Sequence, residues 1–234
     1  MEPVSGTGLP RVAEAAIAAG IGWVVLNCDV DYMAGLRASA KVPAFAITSD
    51  HLEIGRIQGR QFAALLPQGG SLLYIQGPAT SLAAKQRTSG MEETKPAGVQ
   101  VRMIRGQWTE ESAAQAVTSW LRLATARESR LDLIGAQDDS MAMGARKAVE
   151  KQFSGAQPKW SNLQFTGVDG LANEGQAWVK RGLLAATVIV PANAGTAVEM
   201  LVRGFQNGSK IPERTLTVPQ SLPAIEELQP ISPR

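Results

Sequence analysis

Strand-like and helix-like patterns alternate along this whole sequence, and that alternation restricts it to α/β architectures in which helices cover parallel sheets. Residues 21–26 form a continuous, Val-rich apolar run, as expected of a strand buried on both faces. Residues 43–48 repeat the signal, and 72–76, 99–105, 131–136, 163–168 and 185–190 read as further strands. Between them the spacing predicts helices over 10–19, 50–65, 81–95, 109–124, 139–152, 173–181 and 194–207. Asp50 and Glu53 have capping-box spacing, Ser81 and Thr109 stand as N-caps, and Ile54, Ile57, Phe62 and Leu65 make one apolar stripe. Gly20, Gly69-Gly70 and Gly208 stand at stop positions. The Pro-rich tail from Ile211 carries one strand-like stretch, 215–218.

In folds of this class ligands bind at the carboxyl ends of the strands. The positions that matter are therefore Asn27-Cys28-Asp29, Gln76-Gly77, Gln137-Asp138-Asp139, Asp169-Gly170 and Val190-Pro191. Polar groups recur there, although helix caps and Asx turns use the same residues.

Composition narrows the function. The chain has 23 basic and 21 acidic residues, a formal net charge of +2, and no Lys/Arg run dense enough for a nucleic-acid or lipid surface. Its one cysteine, Cys28, excludes a disulfide scaffold. No apolar run reaches the ~20 residues of a bilayer span, and Met1-Glu2-Pro3-Val4 reads as no signal peptide. Gly6-Thr7-Gly8 begins like a dinucleotide fingerprint, but Arg11 occupies the third Gly position; no P-loop occurs. The single histidine, His51, has no GxSxG partner motif. Asp29-Val30-Asp31 after a strand imitates the DxDxT of haloacid-dehalogenase phosphatases, with Asp29 as nucleophile, but Met33 replaces the Thr. Trp108, Trp120, Trp160 and Trp178 are spread over helices and loops, with Trp120 and Trp178 at core spacing; Trp23, Trp108 and Tyr32 are candidate sugar-stacking aromatics.

Four stretches together resemble the ribose-type family of periplasmic sugar-binding proteins, which shares its fold with the sensor domains of lactose-repressor-like regulators. They are Ile47-Thr48-Ser49-Asp50 leading to Gly55 and Gly59, residues 76–91 around Arg87, residues 135–145 around Asp138, and Thr166-Gly167-Val168-Asp169-Gly170 followed by residues 182–187. They occur in family order and cover essentially the whole chain.

The resemblance implies a periplasmic binding protein of type 1: two doubly wound parallel-sheet lobes joined by a hinge. The first lobe comprises residues 1–48 and 191–212, incomplete and lacking its first two strands; the second comprises 49–190 and 213–234. Carried over by position, Arg87 matches the family's sugar-gripping arginine and Asp169 its sugar-binding aspartate. Asp138 stands where the family often has Asn, Asn27 and Cys28 where ribose binders have Asp-Arg, and Val190 where they have Gln. The implied function is that of a monomeric, non-catalytic receptor. It needs no cofactor or metal, binds a monosaccharide between the lobes, and delivers it to the membrane subunits of an ABC importer from the periplasm. A regulator's sensor domain is the alternative within the fold, and an Asp29-dependent phosphatase the alternative outside it. The chemistry agrees: sugar hydroxyls donate and accept at once, which suits carboxylates, amides and a guanidinium fork.

Overall fold

The computed structural model describes residues 9–123, 126, 130–153, 163–207 and 210–231. The calls on Met1–Val4, on Gly6-Thr7-Gly8, on Trp160 and on Gly208 lie outside them. The chain divides into two compact units: residues 1–50 with 191–218, and 51–190 with 219–234.

The first unit has a three-stranded parallel sheet in the order β1 (Trp23–Leu26), β2 (Ala44–Ser49), β8 (Arg214–Thr217). Helix α1 (Pro10–Ala18), α2 (Met33–Ser39) and α8 (Asn193–Asn207) accompany it. One core gathers Ala13, Trp23, Val25, Met33, Leu36, Ala44 and Ala46; a second sets Phe45, Ile47 and Ala197 together, so β2 is covered on both faces. Two expectations change here. The expected boundary places the tail in the second lobe from residue 213, but β8 pairs with β2 along Ala46–Ser49, so the chain leaves the first unit only after Val218. Helix α2 carries no expected pattern: it has seven residues, no side-chain cap and a Gly at its third position, and it forms by burying Met33 and Leu36.

The second unit has a parallel sheet in the order β4 (Val99–Arg105), β3 (Gly70–Gln76), β5 (Leu133–Ala136), β6 (Gln164–Thr166). Alternation along the central strand sorts the layers. Leu72 and Tyr74 pack with Phe62, Leu65 and Met91 of α3 (His51–Leu65) and α4 (Leu82–Thr94). Leu73 and Ile75 pack with Val117, Trp120 and Met141 of α5 (Glu110–Leu121) and α6 (Asp139–Phe153). Opposite faces of one sheet are thus covered, as the continuous apolar runs require. Helix α7 (Gly175–Lys180) follows β6. Then β7 (Thr187–Ile189) touches the β6 segment in parallel only through single bridges, and it pairs antiparallel with β9 (Gln220–Leu222) of the tail.

The four-residue stripe of α3 is wholly buried, and Ser81 and Thr109 accept backbone N–H bonds from Ala84 and Ser112 at 3.2 Å each. What brings α3 and α4 together is the absence of side chains. A methyl group on Gly55 would lie 2.0 Å from the Arg87 carbonyl oxygen, and one on Gly90 2.0 Å from that of Leu52. The two backbones touch, and this contact sets where Arg87 stands.

Gly90→Ala is therefore expected to destabilise the second unit by about 1–3 kcal/mol or more, read as a lower urea midpoint. Gly35→Ala, whose methyl meets nothing described within 4 Å in α2, should instead stabilise by about 0.5–1 kcal/mol.

Candidate functional site

Connection order creates the site. The chain passes from β3 outward to β4, then returns to the other side of β3 as β5. Helix α4 leaves β3 on one face and α6 leaves β5 on the other, so the carboxyl ends of β3 and β5 flank a switch point of the kind that binds ligands. Gln137, fully buried, occupies it. Its Oε1 accepts from the Gly77 N–H at 2.9 Å, and its Nε2 lies 3.0–3.1 Å from the Ala84 carbonyl, Thr88 Oγ1 and the Tyr74 hydroxyl.

The Gln137 carbonyl accepts from Arg87 Nη1. Arg87 is only 7% exposed, not the surface helix charge its position in α4 suggests. Its Nη2 stands 3.7 Å from Asp169 Oδ1, and its guanidinium lies 5.5 Å from the centre of the Trp108 ring. Its Nε has no hydrogen-bond acceptor among the described residues. Trp108 is held at φ 61, and its ring fills the place of the absent Gly77 side chain, where a methyl would come within 2.2 Å.

Three carboxyls face this arginine's surroundings. Asp169 is held at φ 105, between a 2.9 Å bond from its N–H to the Val188 carbonyl and a 3.1 Å bond from the Val190 N–H to its own carbonyl. A non-Gly residue there carries local strain, which concentrates at functional sites. Asp138 Oδ1 accepts from the Met141 N–H at 2.9 Å, so this side chain also caps α6. Burial raises the Asp138 carboxyl to about 7, and the nearby Asp169 charge adds to the rise. Asp139 is buried further and raised to about 8 by desolvation, against the bonds it accepts from Thr187 Oγ1 at 2.7 Å and the Gly170 N–H at 2.8 Å.

The structure thus brings Arg87, Asp138, Asp169 and the Val190 backbone together in the second unit. The Val190 side chain packs on Ile54, Ile57, Val168 and Val188 and offers no polar group. Asn27 and Cys28 belong to the first unit, after β1. Asn27 sits at φ 62 and accepts from Asn193 Nδ2 at 2.6 Å, while Thr217 Oγ1 donates to Asn193 Oδ1 at 2.9 Å. Cys28 packs partly buried beside Ala16, Ile17 and Tyr32. Asp29 is gripped by Arg214, Nε to Oδ1 at 2.6 Å and Nη2 to Oδ2 at 2.9 Å. Trp23 and Tyr32 are core residues of the first unit, Trp120 and Trp178 of the second. Sequence reading marked Gln137 only as a strand end and passed over Asn193 and Thr217; each follows or ends a strand, which is the signal that finds them. A cavity of about 380 Å³ lies at the opposite, amino-terminal end of the second sheet, beside Gly69, Gly70, Arg130 and Asp132. There Asp132 is already engaged by Arg130 and the Ser71 N–H.

A family model described as periplasmic binding protein domain matches residues 1–208. The chain belongs to this family. It is similar to the D-allose-binding periplasmic protein of Escherichia coli K12, 28% identical over 217 residues, which are 90% of this chain and 66% of that protein. It is also similar to the D-ribose/D-allose-binding protein of Pseudomonas aeruginosa, 28% identical over 167 residues, 69% of this chain and 50% of that one. The chain therefore spans about half to two thirds of the length of these relatives. Among solved structures, an ABC transporter periplasmic solute-binding protein from Actinobacillus succinogenes with bound D-allose superposes with a TM-score of 0.78 at 22% identity, over 97% of this chain and 77% of that one. The fold of this periplasmic binding protein domain is that of these sugar-binding proteins.

Raised carboxyls make stability fall with pH. Neutral Asp138 and Asp139 are favoured in the folded state, a contribution fully present below the ordinary value of 3.8 and lost as pH climbs through about 7 to 8. Urea unfolding should give a lower free energy at pH ~9 than at pH ~5, and Asp138→Asn should remove on the order of 2 kcal/mol of that difference. An unchanged slope in the variant would contradict the burial of this acid.

Proposed function

We propose that this chain binds a monosaccharide and acts, without catalysing a reaction, as the substrate-binding component of a sugar ABC importer. The observation that carries the reading is the buried Arg87 guanidinium, fixed beside Asp169 and Asp138 where the second unit's sheet changes winding direction. A planar guanidinium next to carboxyl groups matches a molecule whose hydroxyls donate and accept at adjacent positions. The Trp108 face beside it suits the apolar C–H surface of a sugar ring. Relatives named for D-allose and D-ribose support the class of ligand, and their periplasmic names support delivery from the periplasm to importer membrane subunits. By position, Asn27, Cys28 and Val190 complete the proposed set of ligand-contacting residues, Val190 in place of a polar side chain.

Calorimetry against pentoses, hexoses and polyols tests the reading. Hydrogen bonds to charged groups contribute about 1.5–3 kcal/mol each, so Arg87→Ala and Asp169→Ala should each weaken binding by roughly tenfold to a hundredfold or more. Because Arg87 is buried, Arg87→Met supplies a variant of similar volume. Exposed Arg122 serves as control, and Arg122→Ala should leave affinity unchanged. A bound sugar whose affinity stays within about twofold in both variants would sink the assignment of these residues. Magnesium-dependent hydrolysis of a phosphate ester, lost in Asp29→Asn, would overturn the non-catalytic reading.

A further inference from the structure

The cavity of about 380 Å³ lies wholly within the second unit, at the end of its sheet opposite to Arg87. Strand register builds its polar wall. Ser71 of β3 pairs with Gln100 of β4 on one side. On the other side the Asp132 N–H reaches the Ser71 carbonyl at 2.9 Å, just before β5. Arg102 stands two residues beyond Gln100, Arg130 stands two before Asp132, and both line the cavity. Neighbouring strands lie about 4.8 Å apart, so the two arginines come from rows about 10 Å apart with Ser71 between them. Two long side chains close that gap on one small group. The two are in different states. Arg130 is fixed: its Nε donates to Asp132 Oδ1 at 2.8 Å and Oδ2 at 3.0 Å. Asp132, only 2% exposed, also accepts from the Ser71 N–H at 2.9 Å. A buried carboxylate thus holds one edge of this guanidinium, and its two Nη groups form no bond among the described residues. Arg102, exposed on β4, forms neither an ion pair nor a hydrogen bond among the described residues. Asp132 is the one acid in the lining and offsets one of the two cations, so the cavity keeps one uncompensated positive charge.

We propose that this cavity is a second binding site of the chain and takes a small organic anion, its phosphate or carboxylate head between Arg102 and the Nη edge of Arg130. A guanidinium fork matches the oxygens of either head. The volume falls at the lower end of small-molecule sites, roughly 300–1,000 Å³, and leaves room for more than a bare ion. Beside the arginines the wall is apolar. Leu66 follows α3, and Ile231 of the tail is fastened there by its N–H to the Leu65 carbonyl at 2.8 Å. A compact apolar body on the anion packs against these two. Sugar binding at Arg87 plays no part in this site.

The experiment is an NMR titration of the full chain at low ionic strength and neutral pH. The probes are phenyl phosphate, benzoate, inorganic phosphate and the neutral benzyl alcohol. The expected result is saturable binding of phenyl phosphate or benzoate, tighter than that of inorganic phosphate or of the alcohol. Charge-assisted hydrogen bonds are the strong ones, so Arg102→Ala should weaken that binding by about tenfold. Arg102 is exposed, so this variant should fold and melt as the unsubstituted chain does. Arg130→Lys keeps a cation beside Asp132 without the planar fork, and it should also weaken the aromatic anion. Three results would overturn the proposal. One is the absence of saturable binding by either aromatic anion. Another is an alcohol that binds as tightly as they do. The third is an affinity that stays within about twofold in Arg102→Ala, including the case in which Arg87→Met abolishes it and so places the anion at Arg87.

Discussion

The Gln137 side chain lies where the second unit's sheet reverses its winding, and its polar groups join three elements that would otherwise part there. Its Oε1 receives the Gly77 N–H at the end of β3, and its Nε2 reaches α4 at Ala84 and Thr88. Its backbone carbonyl, at the end of β5, receives Arg87. A buried amide group left unpaired costs about 1–3 kcal/mol, so each of these bonds is enforced by the apolar surroundings that exclude water. The network runs on through the Tyr74 hydroxyl, which donates to Gln58 Oε1 at 2.7 Å, and through Gln58 Nε2, which donates to the Ala136 carbonyl at 2.9 Å. The position of the arginine is thus a property of the sheet, not of the arginine's own long and rotatable stem.

A buried guanidinium needs partners, because desolvating a charge costs several kcal/mol. Here the compensation comes from unlike sources: a carbonyl, a carboxylate at 3.7 Å and an aromatic face. The carboxylate is the loosest of them, beyond hydrogen-bond distance, and its side chain is the exposed member of the pair, 37% against 8%. Asp169 is therefore free to exchange its partner for a ligand, while Arg87 stays held by the Gln137 carbonyl and the Trp108 face. Adjacent residues on one helix start divide in the same way. Asp139 is spent on holding the segment after β6 and strand β7, and Asp138 remains available beside Asp169.

Much of this was legible in the sequence, and the reasons are specific. The central strands β3 and β5 are largely apolar because both faces of the sheet are covered, so they could be read directly. The Ile54, Ile57, Phe62, Leu65 stripe and the Ser81 and Thr109 caps are local, and local signals survive in one sequence. The α3–α4 contact was visible only as unexplained glycines, because its cause is a carbonyl on another helix. The place of β8 escaped for a similar reason: pairing of Ala46–Ser49 with Arg214–Thr217 spans more than 160 residues, and nothing in the tail's own pattern names its neighbour. Arg87 and Asp169 stood out by resemblance. Their burial difference did not, because it follows from Gln137, Trp108 and Gly77, which come from three separate segments.

The strain at Asp169 closes the account of how the site is prepared. A non-Gly residue at φ 105 costs on the order of 1–3 kcal/mol and persists only where its surroundings over-determine it. Three bonds do so: its N–H to Val188, its carbonyl from Val190, and the next residue's N–H to the Asp139 carboxyl. The first two fasten the segment to β7, and the third fastens it to the start of α6. Relaxing Asp169 to an ordinary backbone conformation would break them together. The strained carboxylate is thus held ready before any ligand arrives. A ligand that meets it loses less binding energy to ordering than it would against a free loop. Helix α6 contributes to the same economy, since Asp138 is fixed by capping the helix that it begins. Both acids that face the arginine are positioned by backbone bonds they need for folding, and this is why the arrangement can be rigid while its charge remains unsatisfied.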